Sequence, residues 1–436
     1  MAMTVSMKLE ERLNELPASE MARRIAAGET TSEAVVRACL DRIAAREPDV
    51  CAFAALDPEL ALTEARRRDR EPSRGPLHGV PFGVKDVIDT ADLPTGMGSK
   101  LYDGYRPHVD AACVALAHAA GGIVLGKTTT AEFAGSAPTI TRNPLALGHT
   151  PGGSSSGSAA AVADDMLPVA FGTQTGGSVL RPASFCGVIG FKPTFGTFNP
   201  VGVKPAAESF DTVGLIARTL DDIELFTAVL VNDPPRFTPR PESPPRIGLC
   251  RTHLWDTAQP ETVAAVENAA SALARAGAPV VEIGFPDSFA RLSTERAVIN
   301  AYERAHSLAH EWHHGRDAFS PQMLATCEKG LGIRRAEYVQ ALRFAAECRS
   351  AVGALFENVD VLLTPCVPGE APEGLDYAGD PRFQEIWTML HAPTLTLPAH
   401  RGPRDLPVGI QLVGPHYEEG RLFAAARWVE ARLAAS

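Results

Sequence analysis

GHTPGGSSSGSAAAVADDMLPVAFGTQTGGSVLRPASFCGVIGFKP, residues 148–193, is the stretch from which the rest of the chain can be read. Glycine and serine crowd between apolar runs, which is too structured a pattern for a linker. A Gly/Ser loop passes into SAAAVA, which reads as a helix starting at Ser158. A second glycine-rich turn, TQTGGS, follows and leads into VLRP.

Upstream, Thr30 to Glu33 has capping-box spacing, and Val35, Val36, Cys39 and Ile43 follow at helical spacing. That helix is predicted to end before Pro48. GVPFGVKDV, residues 79–87, reads as a buried strand with a turn. Residues 111–120 read as a helix, and GGIVLGKT as a strand beginning near Ile123. Downstream, NDPPRFTPRPESPPR, residues 232–246, carries six prolines and reads as an extended surface loop. RIGLC, a helix over about 260–276 and PVVEI form a β-α-β pattern. NVDVLLTP and PVGIQLVG read as late buried strands, and EEGRLFAAARWVEARLA as an amphipathic helix. No internal repeat is visible. The alternation predicts one large α/β domain over residues 1–436, with the Pro-rich stretch as a loop upon it.

The 436 residues are 45% hydrophobic and 21% charged, an ordinary globular balance. Lys plus Arg number 41 and Asp plus Glu 52, a formal net charge of −11. An acidic chain without a basic run is a poor direct binder of nucleic acid or anionic membrane. The expected partners therefore exclude both. The eight cysteines are scattered without a CxxC pair, so reduced thiols are expected rather than disulfides or a zinc site. The N-terminus MAMTVSMKLEERLNEL turns charged and helical at once and lacks the apolar run of a secretory signal. No uncharged apolar run is long enough to span a bilayer. The expected location is the cytoplasm.

Three elements carry the candidate chemistry. Ser178 follows two glycines in TQTGGSVLRP, where nothing on the backbone blocks the approach of amide N–H groups to a reacting atom. Successive amides in such a turn can form a concave anion site, as acyl transfer needs for its oxyanion. Removing one such donor costs about 10²–10³ in rate. PGGSSSGSAA also places serines in a loop entering a helix. It lacks the GxxxxGK[ST] pattern of a phosphate loop. Lys85 ends the apolar run of GVPFGVKDVID. In dry surroundings a lysine loses its proton readily and becomes a usable base. The plainer alternative is a surface pairing of Lys85 with Asp86 or Asp89. Taken singly, each element is ordinary in a globular protein.

Together the three resemble the amidase signature family. The family's pattern is a Gly-Gly-Ser-Ser loop, a Gly-Gly-Ser turn 24 residues later and an upstream lysine in Val-Lys-Asp. Here Ser154 and Ser178 lie 24 apart and Lys85 sits in VKD. GKTTTAEFA at 126–134, TRNP at 141–144, GFKPT at 190–194 and DTVGL at 211–215 extend the likeness, with a signature core over 79–215. The resemblance implies a single α/β/α domain with a central mixed, twisted sheet covered by helices. It implies hydrolysis of an amide C–N bond in a small substrate. Ser178 would be the nucleophile, and Ser154 and Lys85 its relay. The amides of Thr175, Gly176, Gly177 and Ser178 would line the oxyanion hole. It further implies a cis peptide between Gly153 and Ser154, and no metal or organic cofactor.

Within that family, GTQTGGSVLRP departs from the common Gly-Thr-Asp-x-Gly-Gly-Ser-Ile-Arg-x-Pro: Gln174 replaces the Asp, Leu180 stands in the Arg place and Arg181 follows. This version is similar to bacterial malonamidases, which act on a small amide bearing a carboxylate. Arg181 could clamp that carboxylate or simply shape the loop. Ser155 and Gln174 join it as candidate substrate contacts. The narrower likeness lapses between about 285 and 345. An aryl amide or a carbamate (urethane) therefore stays open as substrate. The A subunit of a tRNA-dependent amidotransferase is a further alternative, against which Gln174, Leu180 and Arg181 weigh. Oligomeric state is open, a homodimer included. His310-Glu311-Trp312-His313-His314 matches the zinc pattern HExxH. With no third ligand evident, it reads as a polar helix end before Gly315. Cys186 reads as packing rather than a nucleophile. Trp387, Met389 and Leu390 read as core or pocket wall.

Overall fold

The computed structural model describes residues 12–233, 238, 241 and 243–434. Among these, eleven strands form one mixed sheet. In chain order they are β1 (Phe53–Leu56), β2 (Pro81–Lys85), β3 (Ile123–Thr128), β4 (Val169–Gln174), β5 (Ile189–Lys192), β6 (Thr212–Ala217), β7 (Ile247–Leu249), β8 (Val280–Glu282), β9 (Val361–Pro365), β10 (Thr394–Arg401) and β11 (Pro407–Val413). Their order across the sheet is β1-β3-β2-β4-β6-β5-β10-β11-β9-β7-β8.

PFGVK, VAFGTQ and TVGLIA are buried at every position. A strand buried on both faces reads as a continuous apolar run rather than an alternating one. That is why β2, β4 and β6 fall in the interior of the sheet. β2 pairs in parallel with both β3 and β4. The carboxyl ends of these three strands therefore open on the same edge, which is where ligands bind in α/β sheets. Phe82 of β2, Phe171 of β4 and Phe226 pack edge to face at 5.3–6.1 Å beneath them.

The β-α-β unit forms as read. β7 and β8 pair in parallel, with the helix Pro260–Arg275 between them in sequence. The helix around Val35 does not stop before Pro48. It runs Ser32–Val50, capped by the Thr31 hydroxyl, which accepts from the Ala34 amide. Pro48 sits in the last turn, where it loses the helical bond to Ala44 and crowds that carbonyl, yet the helix continues to Val50. The exit is set instead by Cys51 at φ 54° and by the Glu47 carboxylate, which accepts from the amides of Ala52 and Phe53. The helix read from Ser158 begins earlier, at Ser156. Residues 1–11, and Pro234, Pro235 and Pro239 of the Pro-rich stretch, lie outside the described residues.

Gly157, in the first turn of Ser156–Ala163, brings that helix against the ends of β1 and β3. A Cβ there would lie 2.1 Å from the Ala52 carbonyl oxygen and 2.3 Å from the Thr129 nitrogen. Both are backbone atoms and cannot swing aside. Gly157→Ala is expected to destabilise the fold by about 2–3 kcal/mol, seen as a lower unfolding midpoint at fixed scan rate. A midpoint equal to wild type would contradict this packing.

Candidate active site

The Lys85 side chain lies at the carboxyl end of β2 and is fully buried. Its Nζ donates to Ser154 Oγ at 2.7 Å, Thr173 Oγ1 at 2.8 Å and the Thr173 carbonyl at 3.3 Å. No carboxylate among the described residues pairs with it. Asp86, the sequence alternative, lies 3.3 Å from Lys127 Nζ. Burial pushes the Lys85 amine well below the ordinary lysine range, and the charges of Arg304 and Arg181 push the same way against Asp211.

Ser154 follows a cis peptide from Gly153 and lies just ahead of the helix Ser156–Ala163. Its carbonyl accepts from the Ala131 amide at 3.2 Å, and the Ser155 amide donates to the Ser178 carbonyl at 3.2 Å. The two serine loops are thus joined through their backbones. Ser178 Oγ makes no hydrogen bond to another described residue and faces a cavity of about 290 Å³. Thr175, Gly176, Gly177 and Ser178 all line that cavity. The amides of Gly176, Gly177 and Ser178 donate to no described residue, so three backbone donors remain available beside the hydroxyl.

The turn is held from behind. Gln174 Oε1 accepts from the amides of Val179 and Leu180 at 2.9 and 3.1 Å, and its Nε2 donates to Thr388 Oγ1 at 3.0 Å. Thr388 donates in turn to the Gly176 carbonyl at 2.6 Å. Thr175 Oγ1 donates to Asp211 at 2.5 Å, and the amides of Ala206 and Ala207 hold the other oxygen of that carboxylate. The glycines serve this packing as much as the open amides. A Cβ on Gly177 would lie 2.5 Å from Gln384 Oε1, and one on Gly176 2.6 Å from an Arg296 nitrogen.

Gln174 and Ser155, expected as substrate contacts, do not line the cavity. Both are fully buried, and Ser155 Oγ lies 3.4 Å from the Thr173 carbonyl. Their polar atoms are occupied in fixing the loops. Arg181 does line the cavity, with Nε donating to the Gly153 carbonyl at 3.1 Å and further bonds to Gly153 and Gly379. It ties the Ser154 loop to the 377–381 wall. Cys186 Sγ is 3.6 Å from the Pro151 carbonyl, and burial pushes its thiol up, away from reactivity. In HExxH, His310 and His314 stack on each other while Glu311 turns inward to Lys204 and Tyr102. Among the described residues no group of three His, Cys, Asp or Glu is placed to hold a metal. Trp387, Met389 and Leu390 belong to a hydrophobic core with Phe289 and Leu292.

Thr173, Asp211, Thr388, Arg296 and Arg304 were not legible as site residues. Thr173 and Asp211 lie inside recognisable motifs, but only pairing of β4 with β2 and β6 shows their reach. Arg296 and Arg304 come from the stretch where sequence likeness lapses.

A family model described as Amidase matches residues 34–423. The chain belongs to the amidase family. It is an amidohydrolase acting on a C–N bond. The glutamyl-tRNA(Gln) amidotransferase A subunit of Chloroflexus aggregans (strain MD-66 / DSM 9485) is 33% identical to it, covering 94% of this chain and 95% of that protein. That of Roseiflexus castenholzii (strain DSM 13941 / HLO8) is 34% identical, covering 94% of each. In structure the amidase resembles the peptide amidase of Stenotrophomonas maltophilia, with TM-score 0.82, 31% identity and coverage of 96% and 97%. A second solved amidase gives TM-score 0.87 at 29% identity, covering 96% and 100%. The expectation of a small-molecule partner alone, with no nucleic acid, is corrected by the first two relatives, which are named as subunits of a tRNA amidotransferase. Net charge constrains direct contact with phosphate over the average surface and is silent on nucleic acid reached through a complex. No helix among the described residues is long and apolar enough to cross a membrane.

The buried amine sets a pH expectation. Below its lowered pKa, Lys85 holds a proton and cannot accept one; above it, the amine is free. The value of kcat/KM should therefore rise with pH through one ionisation well below the ordinary lysine value of 10.5 and then level off. A profile still climbing into the ordinary lysine range would contradict the neutral amine.

Proposed function

We propose that this amidase cleaves a carboxamide through an acyl-enzyme on Ser178. The 2.7 Å contact between the buried Lys85 amine and Ser154 Oγ is the observation that supports this most directly. Ser178 Oγ attacks the carbonyl carbon. Its proton passes to Ser154, whose own proton goes to Lys85. The amides of Gly176, Gly177 and Ser178, with Thr175 beside them, receive the oxyanion. As the C–N bond breaks, the relay returns a proton to the leaving amine. Water then attacks the ester, Ser178 regains its proton, and the acid is released. Ser178 and Ser154 tighten into contact when substrate fills the cavity, as hydrogen bonds of free enzymes commonly do.

Amidotransferase relatives aligned over nearly the whole chain support a working role as the A subunit of a tRNA-dependent amidotransferase, with ammonia from a carboxamide as the product handed on. A second reading is a stand-alone hydrolase of a small acidic amide of the malonamate kind. It is favoured by Arg181 at the cavity wall, where the two guanidinium N–H groups left beyond its three carbonyl bonds can meet a carboxylate. Aryl amides and carbamates have no comparable support, since the wall carries three arginines and two acids.

Ser178→Ala is expected to abolish ammonia release with an unfolding midpoint close to wild type, because its hydroxyl holds nothing. Lys85→Ala should lower kcat by about 10²–10⁴. Ammonia release by the purified chain on glutamine, malonamate and a neutral amide separates the two readings. Turnover of malonamate without a partner supports the stand-alone hydrolase; release confined to glutamine and raised by amidotransferase partners supports the amidotransferase role. Full activity in Ser178→Ala would overturn the mechanism.

A further inference from the structure

The helix Leu292–Ser307 presents Arg296, Asn300 and Arg304, four residues apart, to the cavity in front of Ser178. Residues four apart share a helix face. Among the charges of the cavity wall, two arginines have no carboxylate of their own. Arg296 Nη1 lies 2.7 Å from Glu385, and Asp380 is bound by Arg382. Arg181 is engaged by three backbone bonds. Arg304 is different. It is 4% exposed, and its one side-chain hydrogen bond among the described residues runs from Nη1 to the Phe133 carbonyl at 2.7 Å. No carboxylate pairs with it among the described residues, and the opposing charge it feels most, Asp211, is beyond ion-pair distance. Asp211 is itself held by Thr175, Ala206 and Ala207.

A guanidinium has five N–H donors in a planar fork suited to a carboxylate. Burying a charge without a partner is strongly unfavourable. A buried arginine with one bond, facing a cavity beside a nucleophile, is therefore incomplete until an anion arrives. We infer that Arg304 is the receptor for a carboxylate on the acyl side of the substrate, so that the preferred substrates are monoamides of short dicarboxylic acids or amides of similar anionic acyl groups. This rests on the hydrolase reading above and adds to it. The cavity of about 290 Å³ is of a size for a small ligand. Of the two arginines, Arg181 already spends three of its five N–H donors on carbonyls and Arg304 only one, so Arg304 is the stronger receptor for that carboxylate. Arg304 is a substrate-binding residue and takes no part in the proton relay.

The test compares succinamate with butanamide, which has the same chain length and no carboxylate. Wild type should favour succinamate in kcat/KM by at least tenfold. Arg304→Gln should shrink that ratio tenfold or more, mainly through KM, and Arg304→Lys should recover part of it. In a Ser178→Ala background, succinate binding measured by calorimetry should weaken at least tenfold when Arg304→Gln is added. A wild type that turns over both amides alike and binds no succinate overturns the assignment of Arg304, whatever the variants do, and leaves the hydrolase reading standing. Retained succinate binding and an unchanged ratio in a folded Arg304→Gln protein also overturn it. Turnover of neither amide or glutamine by a protein that still binds succinate through Arg304 overturns the hydrolase reading instead.

Discussion

An amine held out of water at the end of β2 is the constraint on which the site depends. In solvent, Lys85 would keep its proton and offer Ser154 nothing. Buried, with only hydroxyls and a carbonyl around it, it favours the neutral form. The sheet supplies this condition. β2 lies between two parallel neighbours and is covered on both faces, so the end of the strand is as dry as its middle. Thr173 of β4 gives the amine a polar neighbour without a negative charge. A carboxylate in its place would return the lysine to its protonated state.

The second requirement is a turn that keeps backbone donors open while its own position is fixed. The amides of Gly176, Gly177 and Ser178 donate to no described residue, so the turn is secured by other atoms. Gln174 takes the amides just past it, Thr388 takes the Gly176 carbonyl, and Asp211 anchors Thr175. Net stabilisation of about 1 kcal/mol is ordinary for each such bond. Several of them converge on a few residues. The absence of side chains at Gly176 and Gly177 lets Arg296 and Gln384 press against the turn. Gln174 is thus a structural residue here, holding the first amides of the following helix.

Electrostatically the cavity is uneven. Its two acids each have an arginine of their own, which leaves Arg181 and Arg304 in excess. Both disfavour a charged Lys85, pushing it the same way as its burial does. An overall charge of −11 gives no hint of this, because local fields depend on which charges are within a Debye length and which are buried.

The α/β class was legible in the sequence from its alternating strands and helices, and the motifs that carry Lys85, Ser154 and Ser178 stood out because each is short and contiguous. Ser154, Ser178 and Lys85 could be singled out without coordinates. So could the β-α-β unit at Ile247–Glu282, where hydrophobic periodicity changes along the chain. Pro48 misled as a helix end, since the helix runs past it to Val50 and is ended instead by Cys51 at φ 54° and the Glu47 carboxylate. The work of Gln174, Thr388 and Asp211, and the approach of Arg296 and Arg304 to the cavity, were decided only by tertiary structure. Those contacts join residues as much as 214 positions apart. Which side chain meets which across the sheet depends on strand order and helix docking, and neither leaves a local trace in composition or period.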